Sequence, residues 1–152
     1  MQSLGLNVAR GQLRYVMLEG TLSVPKFLSR GMDEHDPAMP LPERMLWYRK
    51  AFSTLIDRLQ PDRMAYRMHW GGQMKQEQVA TFHYPYGVLN LICHERSLDA
   101  FETTSIGMTA KRFGLPKGTK PMDVCDSYIG SHPPHWDASQ KYAACAAWMI
   151  LP

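Results

Sequence analysis

Apolar and polar positions alternate over the first part of the chain in a way that predicts three short strands. Residues 3–9 form a short apolar run, and residues 13–19 place β-branched and aromatic side chains where a strand favours them. Thr21 to Leu28 is predicted as a third strand, which Pro25 interrupts or confines to a sheet edge. With a tight turn at Gly11-Gln12, the pattern predicts a three-strand antiparallel meander.

A loop and the clearest helix of the chain follow the meander. Ser29 to Pro40 contains glycine, proline and aspartate at short intervals, which favours a loop. The acidic run at residues 33–36 has no further ligand at a fixed spacing, so we interpret it as a solvated connection and not as a metal site. Pro42 and Glu43 suit a first helical turn, and apolar residues then recur at helical spacing as far as Leu59.

The rest of the chain alternates between strands and helices. Strands are predicted at 63–70 and 97–103, and helices at about 73–95, 109–113, 122–129 and 137–150. Pro85 is expected to kink or split the first of these helices. The order β-β-β-α-β-α-β-α-α predicts a single α/β domain over residues 1–152, with a mixed five-stranded sheet flanked by helices.

Composition narrows the class of protein without naming its function. The chain has 152 residues, of which 45% are hydrophobic and 20% charged, as in an ordinary globular domain. No apolar run approaches the roughly 20 residues of a membrane span, and a signal-peptide pattern is missing, so we expect a cytoplasmic protein with no membrane partner. Three widely spaced cysteines argue against a disulfide framework, and a net charge of +3 permits nucleic-acid binding without demonstrating it.

Short motifs accompany this order of elements. Residues 4–7 read Leu-Gly-Leu-Asn, residues 59–67 run from a helix end through Pro-Asp into a strand, and residues 87–90 start with glycine inside a helix. A basic pair at 111–112, the Lys-Gly-Thr-Lys at 117–120 and Asp137 ahead of an alanine-rich helix complete the set. Together they resemble, over nearly the whole chain, the RuvC-like Holliday-junction resolvase branch of the ribonuclease-H-like superfamily, including its phage-borne relatives.

The resemblance implies a two-magnesium nuclease site whose carboxylates are largely replaced in this chain. The family supplies an Asp on the first strand, a Glu at the end of the fourth and one or two Asp on the last helix. The corresponding positions are Asn7, Arg67, Asp137 and Gln140; a register slip of one would substitute Tyr66 or Lys141. We therefore expect no intact catalytic residue and no cofactor, with Mg²⁺ only in a rebuilt site.

Two interpretations of these four positions stay open from the sequence. In the first, Arg67 and Asp137 form a salt bridge in the space that the metal ions would occupy. In the second, Asn7 is an ordinary polar strand residue, Arg67 lies on the surface and Asp137 caps the last helix. Both interpretations disfavour retained nuclease activity.

Basic and aromatic side chains provide candidates for nucleic-acid contact. The main candidates are Arg10, Lys111, Arg112, Lys117 and Lys120, since a turn before a helix offers backbone amides to a phosphate. Further candidates are Arg14, Lys26, Arg63 and Arg67, with Trp70, Tyr84, Tyr86 and Phe113 for base stacking. A solvated basic loop explains the 111–120 stretch equally well.

The function that we predict is a catalytically inactive RuvC-like pseudo-nuclease, encoded by a phage or mobile element, that binds DNA, RNA or a protein partner. The resemblance also implies a homodimer through the helix around Val79 to Leu91. The first alternative is a protein-interaction or structural module without nucleic-acid binding. The second is a metal-dependent nuclease rebuilt from Asp62, Asp137 and histidines.

Several histidines could in principle serve as ligands for a transition metal. His132 and His135 would need His69, His83 or His94 to complete a set, and their spacing fits no zinc signature. Because two prolines separate the first pair, a rigid loop is the simpler interpretation.

Overall fold

A five-stranded mixed sheet forms the centre of the computed structural model, which describes residues 1–152. The strands are β1 (Gln2–Ala9), β2 (Gln12–Gly20), β3 (Pro25–Glu34), β4 (Arg63–Arg67) and β5 (Ala100–Thr103). The helices are α1 (Leu41–Leu59), α2 (Gln76–Phe82), α3 (Tyr84–Glu95), α4 (Pro121–Ile129) and α5 (Ala138–Met149), with a 3-10 turn at Ala110–Phe113. The strand order is β3-β2-β1-β4-β5, antiparallel from β3 to β1 and parallel from β1 to β5, which confirms the predicted fold class.

Each face of the sheet is covered by different helices. On β1, Leu4, Leu6 and Val8 belong to an apolar cluster with α1 and α3. The alternate positions of β1, which include Gly5 and Asn7, face α5.

None of the helices combines the length and the apolar character that a membrane span needs.

Helix α5 lies unusually close to β1 because Gly5 has no side chain. A Cβ atom on Gly5 would lie 1.9 Å from the carbonyl oxygen of Ala143 and 2.4 Å from the backbone nitrogen of Ala147. The helix backbone itself packs on the sheet, and four alanines of α5 are fully buried there: Ala143, Ala144, Ala146 and Ala147. This packing places the first turn of α5 over the C-terminal end of β1.

The hairpin between β1 and β2 turns one residue earlier than predicted. Arg10 and Gly11 occupy the turn with φ of 52° and 77°, as in the type I′ turns that match the twist of a hairpin. The prediction of a turn at Gly11-Gln12 was therefore wrong. The correct turn pairs Ala9 with Gln12, and hence Asn7 with Arg14.

Strand β3 begins later and ends later than predicted. Pro25 is its first residue, where a missing N–H is tolerated because β3 is an edge strand. The strand continues to Glu34, so the predicted loop from Ser29 is wrong over its first six residues. By contrast, the predicted split at Pro85 is confirmed, since this proline lies in the first turn of α3 directly after α2 ends.

Candidate functional site

Three polar side chains line up across the middle of the sheet on the face that α5 covers. Asn7 on β1 lies opposite Arg14 of β2 on one side and Arg67 of β4 on the other. The two arginine positions are each one strand spacing, roughly 5 Å, from Asn7. The first turn of α5 adds Asp137, Ser139 and Gln140, and we call these six residues the junction site.

Asn7 is fully buried and has an unmet hydrogen-bonding capacity. Its Nδ2 donates to the Ser139 hydroxyl at 2.8 Å, whereas its Oδ1 is buried without a partner. If the two ends of the amide are exchanged, the Ser139 hydroxyl donates to Oδ1 and Nδ2 is left unpaired instead. In either orientation one polar atom at the centre of the junction site lacks a partner, which is uncommon for a buried amide.

Asp137, the one carboxylate of the junction site, is engaged by Arg14. Arg14 is buried, and its Nη2 donates to Asp137 Oδ2 at 3.3 Å. Asp137 Oδ1 accepts from the backbone N–H of Gln140 at 3.0 Å, so Asp137 is also the N-cap of α5. The interpretation of Asp137 as a helix cap is confirmed, and the predicted salt bridge from Arg67 to Asp137 is wrong because a different arginine occupies that carboxylate.

Arg14 is further held by neutral acceptors around its guanidinium group. Nη2 also donates to Gln12 Oε1 at 3.0 Å, while Nη1 lies 3.5 Å from both Gln140 Oε1 and the His135 carbonyl oxygen. Arg14 is one of the residues predicted to contact nucleic acid. That prediction is wrong because Arg14 is buried, and it is a structural residue of the junction site. The twofold alternation of β2 and a correct hairpin turn would have revealed its position opposite Asn7.

Arg67 leaves one hydrogen-bonding group available. Its Nε and Nη2 donate to the Ser105 hydroxyl at 3.1 and 2.8 Å, and its guanidinium lies over the Tyr142 ring at 4.1 Å. Its Nη1 makes no hydrogen bond within the protein, and the residue is only half-buried. The interpretation of Arg67 as a surface residue is therefore correct only in part.

The structure also settles the register at both ambiguous positions. Tyr66 points to the opposite face of the sheet, where its hydroxyl donates to Glu102, so Arg67 is the residue that enters the junction site. Lys141 pairs with Asp126 at 2.8 Å, whereas Gln140 is fully buried and donates to the Tyr15 carbonyl. Gln140 is therefore the one of these two residues that faces the junction site.

Tyr86 bridges β1 and β4 just beyond Asn7 and Arg67, the last paired residues of these two strands. Its hydroxyl accepts from the Val8 N–H and donates to the Arg67 carbonyl oxygen, each at 2.8 Å. Burial raises the pKa of Tyr86 well above its ordinary value, so the phenol stays neutral. Its proposed role in base stacking is wrong because the ring is 1% exposed.

The residues of the junction site do not fit a magnesium ion. Magnesium takes oxygen ligands and is usually held by one or two carboxylates, and the single carboxylate of the site is already bound to Arg14. At an effective dielectric near 20, two unit charges 4 Å apart interact by about 4 kcal/mol, so two nearby arginines strongly oppose a dication. No group of three His, Cys, Asp or Glu side chains in the structure is arranged to hold a metal ion.

The rebuilt metal site suggested from the sequence does not assemble either. Asp62 precedes β4 and accepts a hydrogen bond from the Gln2 N–H, at the opposite end of the strand from Arg67. Asp62 lies five residues from Arg67 along the strand direction, or about 17 Å, so it is at the opposite end of the sheet from the junction site that contains Asp137. The prediction that these two carboxylates share a site is wrong.

The histidines are distributed over separate parts of the fold. His69 stacks on Phe82 and lies next to His83, whose Nε2 contacts the His69 carbonyl oxygen at 2.8 Å. Burial, followed by the positive charge of Arg67, lowers the pKa of His69. His132 instead stacks on Phe27 of β3, so the histidines of the two loops do not form one ligand set.

The basic candidates for nucleic-acid contact are exposed and fall into two groups. Arg10 lies in the hairpin turn next to the junction site, on the same strand end as Asn7. In the second group, Lys111 and Arg112 lie in the 3-10 turn, and Lys117 and Lys120 follow it. This turn packs on the C-terminal half of α5 through Phe113 and Trp148. None of the five takes part in an ion pair. Their contact with nucleic acid stays a prediction.

The aromatic candidates divide by exposure. Trp70 and Tyr84 are 68% and 43% exposed, so both rings are accessible. Phe113 is 2% exposed and packs in the core against Trp148, so its predicted role in stacking is wrong.

Comparison with solved structures shows which proteins share this fold. No family model matches the sequence, and no curated protein matches it. T. thermophilus RuvC in complex with a Holliday junction substrate superposes with a TM-score of 0.79 at 13% identity, covering 98% of this chain and 91% of that one. A second T. thermophilus RuvC structure has a TM-score of 0.77 at 13% identity, covering 98% and 92%.

The fold of a eukaryotic resolvase is also similar to that of this chain. Ydc2, the yeast mitochondrial Holliday junction resolvase, has a TM-score of 0.69 at 10% identity and covers 97% of this chain and 77% of its own. Identities this low establish the fold and not the activity. The chain therefore has the RuvC-like form of the ribonuclease-H-like fold.

Proposed function

We propose that this chain is a RuvC-like domain that binds nucleic acid without cleaving it. The observation that carries the proposal is the line of Arg14, Asn7 and Arg67 across the sheet, in which Asn7 and Arg67 occupy positions where the family resemblance implies metal-binding carboxylates. The only carboxylate beside that line is neutralised by Arg14. The junction site thus has the charge of an anion site and lacks that of a two-metal site.

One group of the junction site remains available to a phosphate. Arg67 offers Nη1, which has no partner in the protein, on a side chain that is only half-buried. Asn7 also has one amide end without a partner, but its side chain is fully buried and does not reach solvent. A guanidinium is a common group for binding a phosphate oxygen.

Exposed cations extend this surface in two directions. Arg10 lies in the hairpin turn beside the junction site, and the 111–120 stretch carries four exposed cations toward the far end of α5. Binding through such side chains depends strongly on salt because each phosphate contact releases counterions. The four-way junction is the first ligand to test, since the T. thermophilus RuvC structure holds that substrate.

The proposal includes a homodimer through the segment from Val79 to Leu91. Tyr84 and Leu91 expose 43% and 57% of their surface there, which a second copy would cover. Sedimentation of the wild type and of Leu91→Glu tests this part, because a charge at a buried contact should shift the population to monomers.

The main experiment measures binding and cleavage on the same samples. Fluorescence anisotropy of labelled four-way junction, duplex and single strand, as DNA and as RNA, is recorded from about 50 mM to about 200 mM salt. Mg²⁺ or Mn²⁺ is included in parallel, and a gel reports cleavage. We expect binding that weakens with salt and no product in any lane.

Arg67→Ala is the decisive variant, and Arg49→Ala is its matched control. Arg49 is exposed on α1, on the opposite side of the sheet, and has no hydrogen-bond or ion-pair partner. We expect Arg67→Ala to weaken binding by about tenfold and Arg49→Ala to change it by less than about twofold. Metal-dependent cleavage by the wild type would contradict the loss of activity, and no binding at low salt would favour the protein-interaction module.

A further inference from the structure

An open depression lies between the edge strand β3 and the loop that joins α4 to α5. Its volume is about 600 Å³, and its lining residues are Phe27, Ser29, Arg30, Ser131, His132 and Pro133. The lining includes a guanidinium, an imidazole and two hydroxyl groups, and it contains no carboxylate. The depression between β3 and α1 differs in this respect, because Asp33 and Glu34 accompany its lysine and arginine.

Arg30 provides the charge of this depression and has no partner in the protein. It takes part in no hydrogen bond and no ion pair, and it is half-exposed. It pairs across the ladder with Val16, which packs against α5. Since paired residues share a face of the sheet, Arg30 lies on the same face as Arg14 and Arg67.

The wall of the depression is held in place by aromatic contacts. The His132 ring stacks on Phe27 with centroids 3.5 Å apart and an interplanar angle of 13°, and Trp136 packs edge-on at 5.1 Å. His132 Nε2 lies 3.0 Å from the Ile129 carbonyl oxygen, to which it donates. The Trp136 indole donates to Asp126 at 2.7 Å. These contacts fix the loop, so a ligand beside Arg30 would meet a preformed surface.

The same loop connects the depression to the junction site. The His135 carbonyl oxygen contacts Arg14 Nη1, and Asp137 follows two residues later. Arg30 and Arg67 extend from strands that are three positions apart in the sheet, or about 14 Å. Two cationic sites at this separation on one face match phosphates that are roughly two or three nucleotides apart on a single nucleic-acid strand.

We propose that the depression at Arg30 and His132 is a second phosphate subsite, which binds the backbone of the same strand that contacts Arg67. This inference rests on the proposed function and extends it by assigning a second contact at the β3 edge, on the far side of the first turn of α5. The open shape suits a polymer backbone that passes through, and the lack of a carboxylate leaves the charge of Arg30 available. Ser131 adds a hydroxyl donor at the rim.

The test compares Arg30→Ala with Arg49→Ala by anisotropy on the labelled four-way junction and on single strands of increasing length. We expect Arg30→Ala to weaken binding by about fivefold and to reduce the salt slope by about one. The effect should appear only with strands long enough to reach from Arg67 to Arg30. If the wild type binds and Arg30→Ala equals Arg49→Ala in affinity and slope, the subsite is wrong.

A second measurement separates this inference from the proposed function. The indole N–H of Trp136 and the ring of His132 are followed by NMR during titration with inorganic phosphate. If the wild type binds no nucleic acid, the proposed function fails; phosphate shifts of these signals that Arg30→Ala abolishes would still support an anion site. No phosphate shift in the wild type would overturn the subsite as well.

Discussion

The two ends of α5 meet the same sheet in opposite ways. Toward its C-terminal end, Ala143 and Ala147 pack directly on Gly5, and the contact is apolar and free of charge. At its N-terminal end, Asp137 and Ser139 meet buried polar side chains of β1 and β2. One helix thus carries a close backbone contact and a polar cluster within 12 residues.

The difference shows that the geometry of the site and its chemistry depend on different residues. Small residues bring α5 close to the sheet, whatever side chains occupy its first turn. The groups in that turn decide which charge the junction site holds. The fold therefore constrains the side chains in that turn and on the facing strands far less than it constrains the small residues beneath the helix.

Disrupting the apolar contact between Gly5 and α5 should have the largest effect on the stability of the protein. In Gly5→Val the new side chain would collide with main-chain atoms of Ala143 and Ala147, and neither can move without displacing α5. We expect a loss of at least about 4 kcal/mol of unfolding free energy, or no folded protein. Urea unfolding followed by circular dichroism measures the loss.

Gly87→Ala is the matched control for this prediction. Gly87 lies in α3 with no atom within 4 Å of the position where its Cβ would be. Alanine should leave the stability unchanged or raise it by up to about 1 kcal/mol, since glycine is unfavourable inside a helix. A Gly5→Val protein with the unfolding midpoint of the wild type would show that α5 does not contact β1 in this way.

Restoring carboxylates at the polar end should create a metal site on the unchanged scaffold. The variant Asn7→Asp/Arg67→Glu/Gln140→Asp would combine three new carboxylates with Asp137. We expect Mg²⁺ to stabilise this variant by about 2.7 kcal/mol when its concentration is one hundred times the dissociation constant. Thermal unfolding with and without Mg²⁺ measures the effect. An equal stabilisation of the wild type would mean that the present residues already hold the ion.

Asp137 allows its two structural roles to be separated. Asp137→Asn keeps a good N-cap but removes the charge that faces the buried Arg14, whereas Asp137→Ala removes both. We expect a loss of about 2 kcal/mol for alanine and of about 1 kcal/mol for asparagine, since the carboxylate is 55% exposed and solvent weakens the pair. Chemical unfolding of both variants checks the order. Equal losses would show that the cap contributes nothing.

The smallest expected loss of stability concerns the ion pair between Asp126 of α4 and Lys141 of α5. The hydrogen bond from Lys141, and then that from Trp136, lowers the pKa of Asp126. Because the pKa is lower in the folded state, the stabilisation is present above the ordinary pKa of Asp and is lost as the pH falls through the folded value. Asp126→Asn should therefore cost less than about 1 kcal/mol at neutral pH and nothing in strong acid. A difference from the wild type that does not change with pH would contradict this assignment.

Most elements could be predicted from the sequence because their signals are local. The helical spacing before Leu59, the proline that starts α3 and the short run around Gly5 each depend on neighbouring residues, and the structure contains all three elements. The errors arose where one turn residue sets the pairing of a strand. Arg10 adopts a positive φ that is uncommon outside glycine. Local turn signals therefore place the hairpin one residue too late, and they do not identify Arg14 as the neighbour of Asn7.

The sequence by itself determined the order of the elements and, through the family resemblance, pointed to four residues of the junction site. Asn7, Arg67, Asp137 and Gln140 were indicated by the short motifs that carry the resemblance, because such motifs are local in the sequence. Only the tertiary structure decided that Asp137 pairs with Arg14 and that His132 stacks on Phe27 beside Arg30. Those partners are about one hundred residues apart in the chain, and sheet register and helix docking, which no local pattern encodes, bring them together.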